Sequence, residues 1–374
     1  MPDTPISGFV APGFEAVQDA FAENFARGEE QGAGFSVILD GEVIVDLVGG
    51  WADRAGTKPW DARTIVPVYS TTKGIAALVL AMAVEDLPAG YETPVAEVWP
   101  EFAAAGKDAI TIGEVASHQA GLPGFAEPID PALWLDPPAC AAALAALPPM
   151  WPPGTAHGYH PLTWGYLTGE IVRRITGRTL GTILREDICG PLGIDFQIGT
   201  PDADQSRVAE ILRPKALADL GEITPARRAA FVSKWAAPDR GGAIWRQIEI
   251  PSANGHGTAS AVATLYNAYA HVGLLGGRRL IRPGTFEALT RPRVDGPDLV
   301  LPLTTRFGAG IMHNTYKSFG PFEDGLGHCG WGGSLAIVSP SRGLTCAYVM
   351  NRQSNTLIGD PRAVRLVEAV AGCL

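Results

Sequence analysis

The chain has 374 residues, 46% of them apolar and 18% charged, so it can bury a large core and exceeds one small module. Its formal net charge is −10 and it contains no run of Lys or Arg, which removes the basic footprint of a nucleic-acid binder. The opening Met1-Pro2-Asp3-Thr4-Pro5 lacks the basic-then-apolar pattern of a secretory signal, and the longest apolar run, 75–84, is about half a membrane span. Five cysteines (140, 189, 329, 346 and 373) form no C-x-x-C pair and leave one odd thiol, which reads as reduced. A soluble, cytoplasmic protein with no membrane or nucleic-acid partner is the expectation.

In chain order, Phe14, Val17, Phe21 and Phe25 share one helical face, predicting a helix within 12–28. The runs 34–39 and 42–48 flank Asp40-Gly41, a pair that accepts positive φ, and predict a hairpin. A long segment rich in Ala, Leu and Pro follows, with helical spacing at 74–86, 138–147, 162–176, 179–189 and 258–273. Near the far end, 334–339 and 344–350 flank Pro340-Ser341-Arg342-Gly343 and predict a second hairpin, then a helix from 360 to 372. The implied fold is α/β of the α+β kind: an antiparallel sheet flanked by N- and C-terminal helices, with a large, mostly helical insertion. Its expected division is a sheet domain of 1–69 with 304–374, a helical domain of 70–303, and an active site where the two meet.

Two motifs with catalytic associations fail their context tests, and a third is absent. Gly325 to Gly330 spells G-x-G-x-x-G, but the dinucleotide version needs a strand before it and a helix after it, and a strand pattern follows instead. His157-x-x-His160 has no nearby carboxylate or thiolate to complete a metal site. No G-x-S-x-G elbow occurs. No metal and no cofactor are expected.

Of six lysines, only Lys73 has a serine three residues before it, Ser70. On a helix those positions share a face, so hydroxyl and amine become neighbours, and the helix N-terminus favours a developing alkoxide. A desolvated, unprotonated Lys73 could take the hydroxyl proton. Ile75, Leu78, Val79 and Met82 would be the buried stripe of that helix. By itself Ser-x-x-Lys is weak, and an N-capping serine beside a surface lysine is its simplest reading.

Company changes that reading. Thr64 to Lys73, Ala109 to Pro123, Pro153-Gly154-Thr155 leading to Tyr159, and Gly327 to Ser334 resemble, in order, the motifs of the serine β-lactamase and penicillin-binding-protein superfamily. The likeness is to its class C and family VIII carboxylesterase branch, which implies a β-lactamase/transpeptidase-like fold. It also implies an acyl-enzyme on Ser70, and Lys73 with Tyr159 as a paired base in which the Lys⁺ charge favours phenolate. The oxyanion hole would be the backbone N–H groups of Ser70 and Trp331, with His328, Gly330, Trp331 and Phe125 expected around the substrate, together with walls from 230–256. Two departures stand out: lactamases of this branch carry Tyr-x-Asn and Lys-Thr-Gly, where this chain has Tyr159-His160-Pro161 and His328-Cys329-Gly330. With the absence of an export signal at the N-terminus, which weakens a role against external antibiotics, they favour a small-molecule ester over a lactam. An amide or β-lactam hydrolase, an acyltransferase, and a catalytically silent binding or scaffold member are the alternatives. The resemblance leaves the natural acyl and alcohol groups and the oligomeric state open.

Overall fold

Asp40 and Gly41 adopt φ of 50° and 86°, so the first hairpin turns where the sequence supplies residues tolerant of the left-handed region. The computed structural model describes residues 4–216, 218–238 and 241–374. The hairpin joins β2 (Gly32–Leu39) to β3 (Glu42–Gly50), and β1 (Ile6–Val10) pairs on the outer side of β3. The second hairpin joins β8 (Leu335–Ser339) to β9 (Leu344–Met350), with Gly343 at φ 60° closing its turn. Four short strands complete the sheet: β4 (Val294–Pro297), β5 (Thr304–Phe307), β6 (Met312–His313) and β7 (Leu326–Cys329). The order is β1-β3-β2-β9-β8-β7-β6-β5-β4, nine strands with every neighbour antiparallel. Both chain ends therefore meet at the β2–β9 pairing, and β4 enters the sheet before residue 304.

Period-two alternation sorts the sheet's faces. Phe35, Val37, Cys346 and Tyr348 pack with Phe21 of helix α1 (Glu15–Ala26) and with Leu366 and Val367 of the C-terminal helix (Pro361–Cys373). On the opposite face Ile38, Ala347 and Val349 join the core of the inserted region, where the helix Ala259–Ala270 lies on β2 and β9. Gly34 permits that approach, because a Cβ there would stand 3.3 Å from the Ala259 methyl.

Within the insertion, helix α2 (Thr72–Val84) is central. Its sequence suggested a one-sided stripe, yet every residue but Met82 is buried, as expected of a helix that is apolar all round. Helices Pro137–Ala146 and Thr163–Thr176 form where the spacing placed them; the 179–189 segment is helical only over Leu180–Ile183 before a π turn, Leu184–Cys189. Among the described residues no helix is long and apolar enough to cross a membrane, and the described cysteines are all unpaired.

Candidate active site

Ser70 sits in a one-turn 3₁₀ segment, Tyr69–Thr71, that runs directly into α2. Tyr69 takes φ 47°, a conformation costly for a bulky residue and tolerated where surrounding contacts over-determine it. Those contacts are visible. The Tyr266 hydroxyl donates to Thr71 O at 2.7 Å and the Tyr269 hydroxyl to Gly74 O at 2.7 Å. Any Cβ on Gly74 would fall 2.2 Å from the Tyr266 oxygen, so glycine at this position lets the brace reach the helix. Ser70 is thus presented at the amino end of a buried helix by a rigid turn.

Lys73 Nζ lies 3.3 Å from Ser70 Oγ and donates to two backbone carbonyls, Pro161 O at 2.8 Å and Ser252 O at 3.0 Å. The residue has no solvent exposure, and burial holds its pKa well below the ordinary 10.5. Partner chemistry points the same way. A neutral amine has two N–H donors and one lone pair; the two carbonyls take the donors, which leaves the lone pair for the serine hydroxyl. This arrangement leaves the amine chemically able to accept a proton from Ser70 Oγ.

Tyr159 reaches the pair from the second motif. Its phenol shares a hydrogen bond with the Ser70 side chain, but burial pushes its pKa up and outweighs that bond. Its ring face lies 4.7 Å from Lys73 Nζ and stacks on Phe307 at 6.2 Å. The family pattern suggested an ammonium–phenolate pair. In this dry site burial disfavours the charged form of both groups, lowering the Lys73 pKa and raising that of Tyr159. The main chain around it is held from two sides. Asp298, 5% exposed, accepts Tyr159 N–H at 2.9 Å as well as Val300 and Leu301 N–H, each at 2.8 Å. His118 accepts Gly158 N–H on its carbonyl at 3.0 Å and His160 N–H on Nδ1 at 3.1 Å. Neither Asp298 nor His118 was singled out from the sequence, where nothing marks an isolated loop carboxylate; His118 at least falls inside the resembling segment 109–123.

The third motif closes the site. Strand β6 spans only Gly327 and Leu326 of β7, so His328 and Cys329 have a ladder partner on the β8 side alone. That freed edge docks on the turn that carries Ser70. Ser334 Oγ donates to Val68 O at 2.7 Å and lies 3.0 Å from Thr71 Oγ1. At Gly330 a Cβ would come within 2.2 Å of both Ser334 Oγ and Val68 O, so only glycine allows the contact. His328 is buried; its Nδ1–H donates to Cys329 O at 2.8 Å, and burial brings its pKa down to about 3. It is therefore a neutral ring whose Nε2 lone pair has no hydrogen-bond partner among the described residues.

A pocket of about 60 Å³ opens on Ser70, Tyr159, His328 and Trp331. From the 230–256 region Phe231, Trp245 and Ala253 line it, while Leu301, Met312, Leu357 and Ile358 add walls that no sequence pattern announced. Phe125 does not line it. That ring turns into the helical core against Trp134, 5.2 Å away, so its expected place around the substrate is corrected. Gly330 likewise contributes through close backbone approach rather than as a lining residue. No Lys, Arg, Asp or Glu is among the described residues that line the pocket.

The rejected motifs have ordinary uses. Residues 326–329 of the glycine run are strand β7 itself, and no helix follows. His157 Nε2 is 2.9 Å from Thr305 Oγ1, while His160 donates from Nδ1 to Gly158 O and accepts Leu122 N–H on Nε2. Both rings are occupied in bracing the second motif.

Comparison with known proteins agrees with the geometry. The family model described as Beta-lactamase matches residues 17–370. Esterase/beta-lactamase LipL of Mycobacterium tuberculosis is 36% identical over 369 residues, covering 94% of this chain and 84% of that protein. A penicillin-binding-protein homologue from Caulobacter crescentus superposes with a TM-score of 0.96 at 52% identity, over 99% of this chain and 100% of that one. A family VIII carboxylesterase does so with a TM-score of 0.91 at 38% identity, over 99% and 100%. With the three motifs assembled on that fold, this chain belongs to the β-lactamase family, within the superfamily of serine β-lactamases and penicillin-binding proteins.

Proposed function

We propose that this protein is a serine carboxylesterase that cleaves small esters through an acyl-enzyme on Ser70. The observation that carries the reading is Lys73: a buried amine 3.3 Å from Ser70 Oγ whose other partners are two carbonyls. In the acylation step the Ser70 oxygen bonds to the ester carbonyl carbon and its proton passes to Lys73. The negative charge collects on the carbonyl oxygen, facing the N–H groups of Ser70 and Trp331. Each such preorganised donor lowers the barrier by about 2.7–4 kcal/mol. The C–O bond to the alcohol then breaks, and the alkoxide takes a proton through Tyr159, which recovers one from Lys73. Water repeats the sequence on the acyl-enzyme and releases the acid.

Preference for esters is supported by what lines the pocket. A β-lactam or peptide brings a carboxylate, and among the described lining residues the group at the family's lysine position is the neutral His328 ring. An amide also brings an N–H, and Pro161 offers its carbonyl to Lys73 instead of a side chain to the substrate. A buried, unpaired N–H costs about 1–3 kcal/mol, and a missing charge-assisted contact adds a comparable amount. At 1.36 kcal/mol per decade this gives roughly 10²- to 10⁴-fold against lactams. The small pocket suits short acyl chains such as acetyl or butyryl. A series of p-nitrophenyl esters of graded length, assayed beside a chromogenic cephalosporin, tests this. A kcat/KM for the cephalosporin equal to that of the best ester would overturn the preference.

A further inference from the structure

The Trp331 N–H can serve an oxyanion only if the glycine turn that carries it holds still. Gly332 and Gly333 adopt φ of 88° and 131°, conformations in which glycine gains no rigidity from its own side chain. Each peptide of the turn is nevertheless pinned through its carbonyl. Gly330 O accepts Gly333 N–H at 3.1 Å, Trp331 O accepts Gln353 Nε2–H at 3.1 Å, and Gly332 O accepts both Ser354 N–H at 2.9 Å and Arg362 Nη2–H at 3.0 Å. Arg362 is the deepest of these anchors. It is 4% exposed, stands near the start of the C-terminal helix, and spends every donor on fixed groups. Nε and Nη2 donate to the two oxygens of Asp360 at 3.0 and 2.8 Å, and Nη1 to Glu30 Oε2 at 3.1 Å and Arg352 O at 2.8 Å. The turn is pressed onto this cluster without clearance. A Cβ on Gly333 would lie 2.6 Å from Asp360 Oδ2 and 2.7 Å from Arg362 Nη2.

We propose that Arg362, locked by Asp360 and Glu30 and assisted by Gln353, is a positioning residue for the oxyanion hole: it fixes the Gly330–Gly333 turn, and with it the Trp331 N–H, from the side opposite the substrate. The inference rests on the reading of Trp331 N–H as an oxyanion donor in ester hydrolysis. None of Arg362, Asp360, Glu30 or Gln353 lines the substrate pocket, so their effect passes through the turn alone. A planar guanidinium suits the task because its donors leave in a fixed fork toward several acceptors at once, which an ammonium cannot match. Donors aimed at the transition state need this rigidity, since their advantage lies in not having to reorganise during reaction.

The test compares Arg362→Lys, Arg362→Met and Gln353→Met with the wild-type enzyme on one short-chain ester. Expected is a 10- to 100-fold fall in kcat with KM within about twofold, smaller for Arg362→Lys than for Arg362→Met. Affinity for a tetrahedral boronate should fall in parallel, while affinity for the product carboxylate should not. A role in stability alone would lower the melting temperature and leave the surviving kcat and boronate affinity untouched, and that result overturns the inference. If the Arg362 variants do not fold, Gln353→Met decides by the same readouts. Absence of ester turnover in the wild-type enzyme would defeat the functional reading itself, whereas wild-type turnover with unchanged variants defeats only this step.

Discussion

Replacing Lys73 by methionine separates what the buried amine does for catalysis from what it costs the fold. An amine that is neutral in the folded protein must shed a proton that the unfolded chain keeps up to its ordinary 10.5. For an amine neutral at pH 7 the cost against folding is on the order of 5 kcal/mol. Methionine removes this cost but leaves Pro161 O and Ser252 O without their donor, about 1–3 kcal/mol each. The two effects nearly cancel, so the variant should fold at pH 7 while kcat falls by roughly 10²–10⁴. The pH dependence is the sharper readout. Between the depressed folded pKa and 10.5 the unfolded chain holds one proton more, so wild-type stability rises with pH over that range and is flat below the folded pKa, where both states are protonated. An amine neutral across pH 7–9 makes the wild-type protein gain on the order of 3 kcal/mol on the variant over those two units. Urea unfolding of both proteins at pH 7, 8 and 9 measures this, and other titrating groups cancel in the difference. A difference that stays constant with pH would mean Lys73 keeps its charge in the fold, and its assignment as resting base would be wrong.

Tyr159→Phe should lower kcat by roughly 10²–10⁴, and adding Lys73→Met should cost little more than the worse single change, because groups working as a unit are non-additive; a near-normal kcat would reduce Tyr159 to a ring packed on Phe307. Burial pushes the Glu30 carboxyl up to about 7 from its ordinary 4.5, against the pull of Arg362 and the Tyr348 hydroxyl. Its contribution to stability is therefore present below pH 4.5 and lost as pH rises through 7, an effect on the order of 3 kcal/mol. Glu30→Gln should gain on the wild-type protein over that interval in denaturation curves, and parallel curves would contradict the assignment.

Features written in adjacent residues were legible in the sequence. Asp40-Gly41 specifies its hairpin by turn chemistry, and Ser70 with Lys73 share a helix face by spacing alone. Tyr159 and the 327–334 turn needed the family's motif order, because nothing local distinguishes a catalytic tyrosine from a packing one. What stayed hidden is carried by the main chain or by distant partners. The carbonyls of Pro161 and Ser252 that hold Lys73 have no side-chain signature. Arg362 and Glu30 are 332 positions apart. Strands β4 to β7 have two to four residues each, too few to show a period. Phe125 was misplaced for a related reason: an aromatic near a motif looks the same in sequence whether it faces a pocket or Trp134.

The central claim, a covalent intermediate on Ser70, is tested most directly by intact-mass spectrometry after brief exposure to a fluorophosphonate. A single adduct is expected, mapped to the peptide that contains Ser70 and accompanied by complete loss of ester turnover, and no adduct in Ser70→Ala. An adduct on another residue, with Ser70→Ala still hydrolysing esters at the wild-type rate, would contradict it.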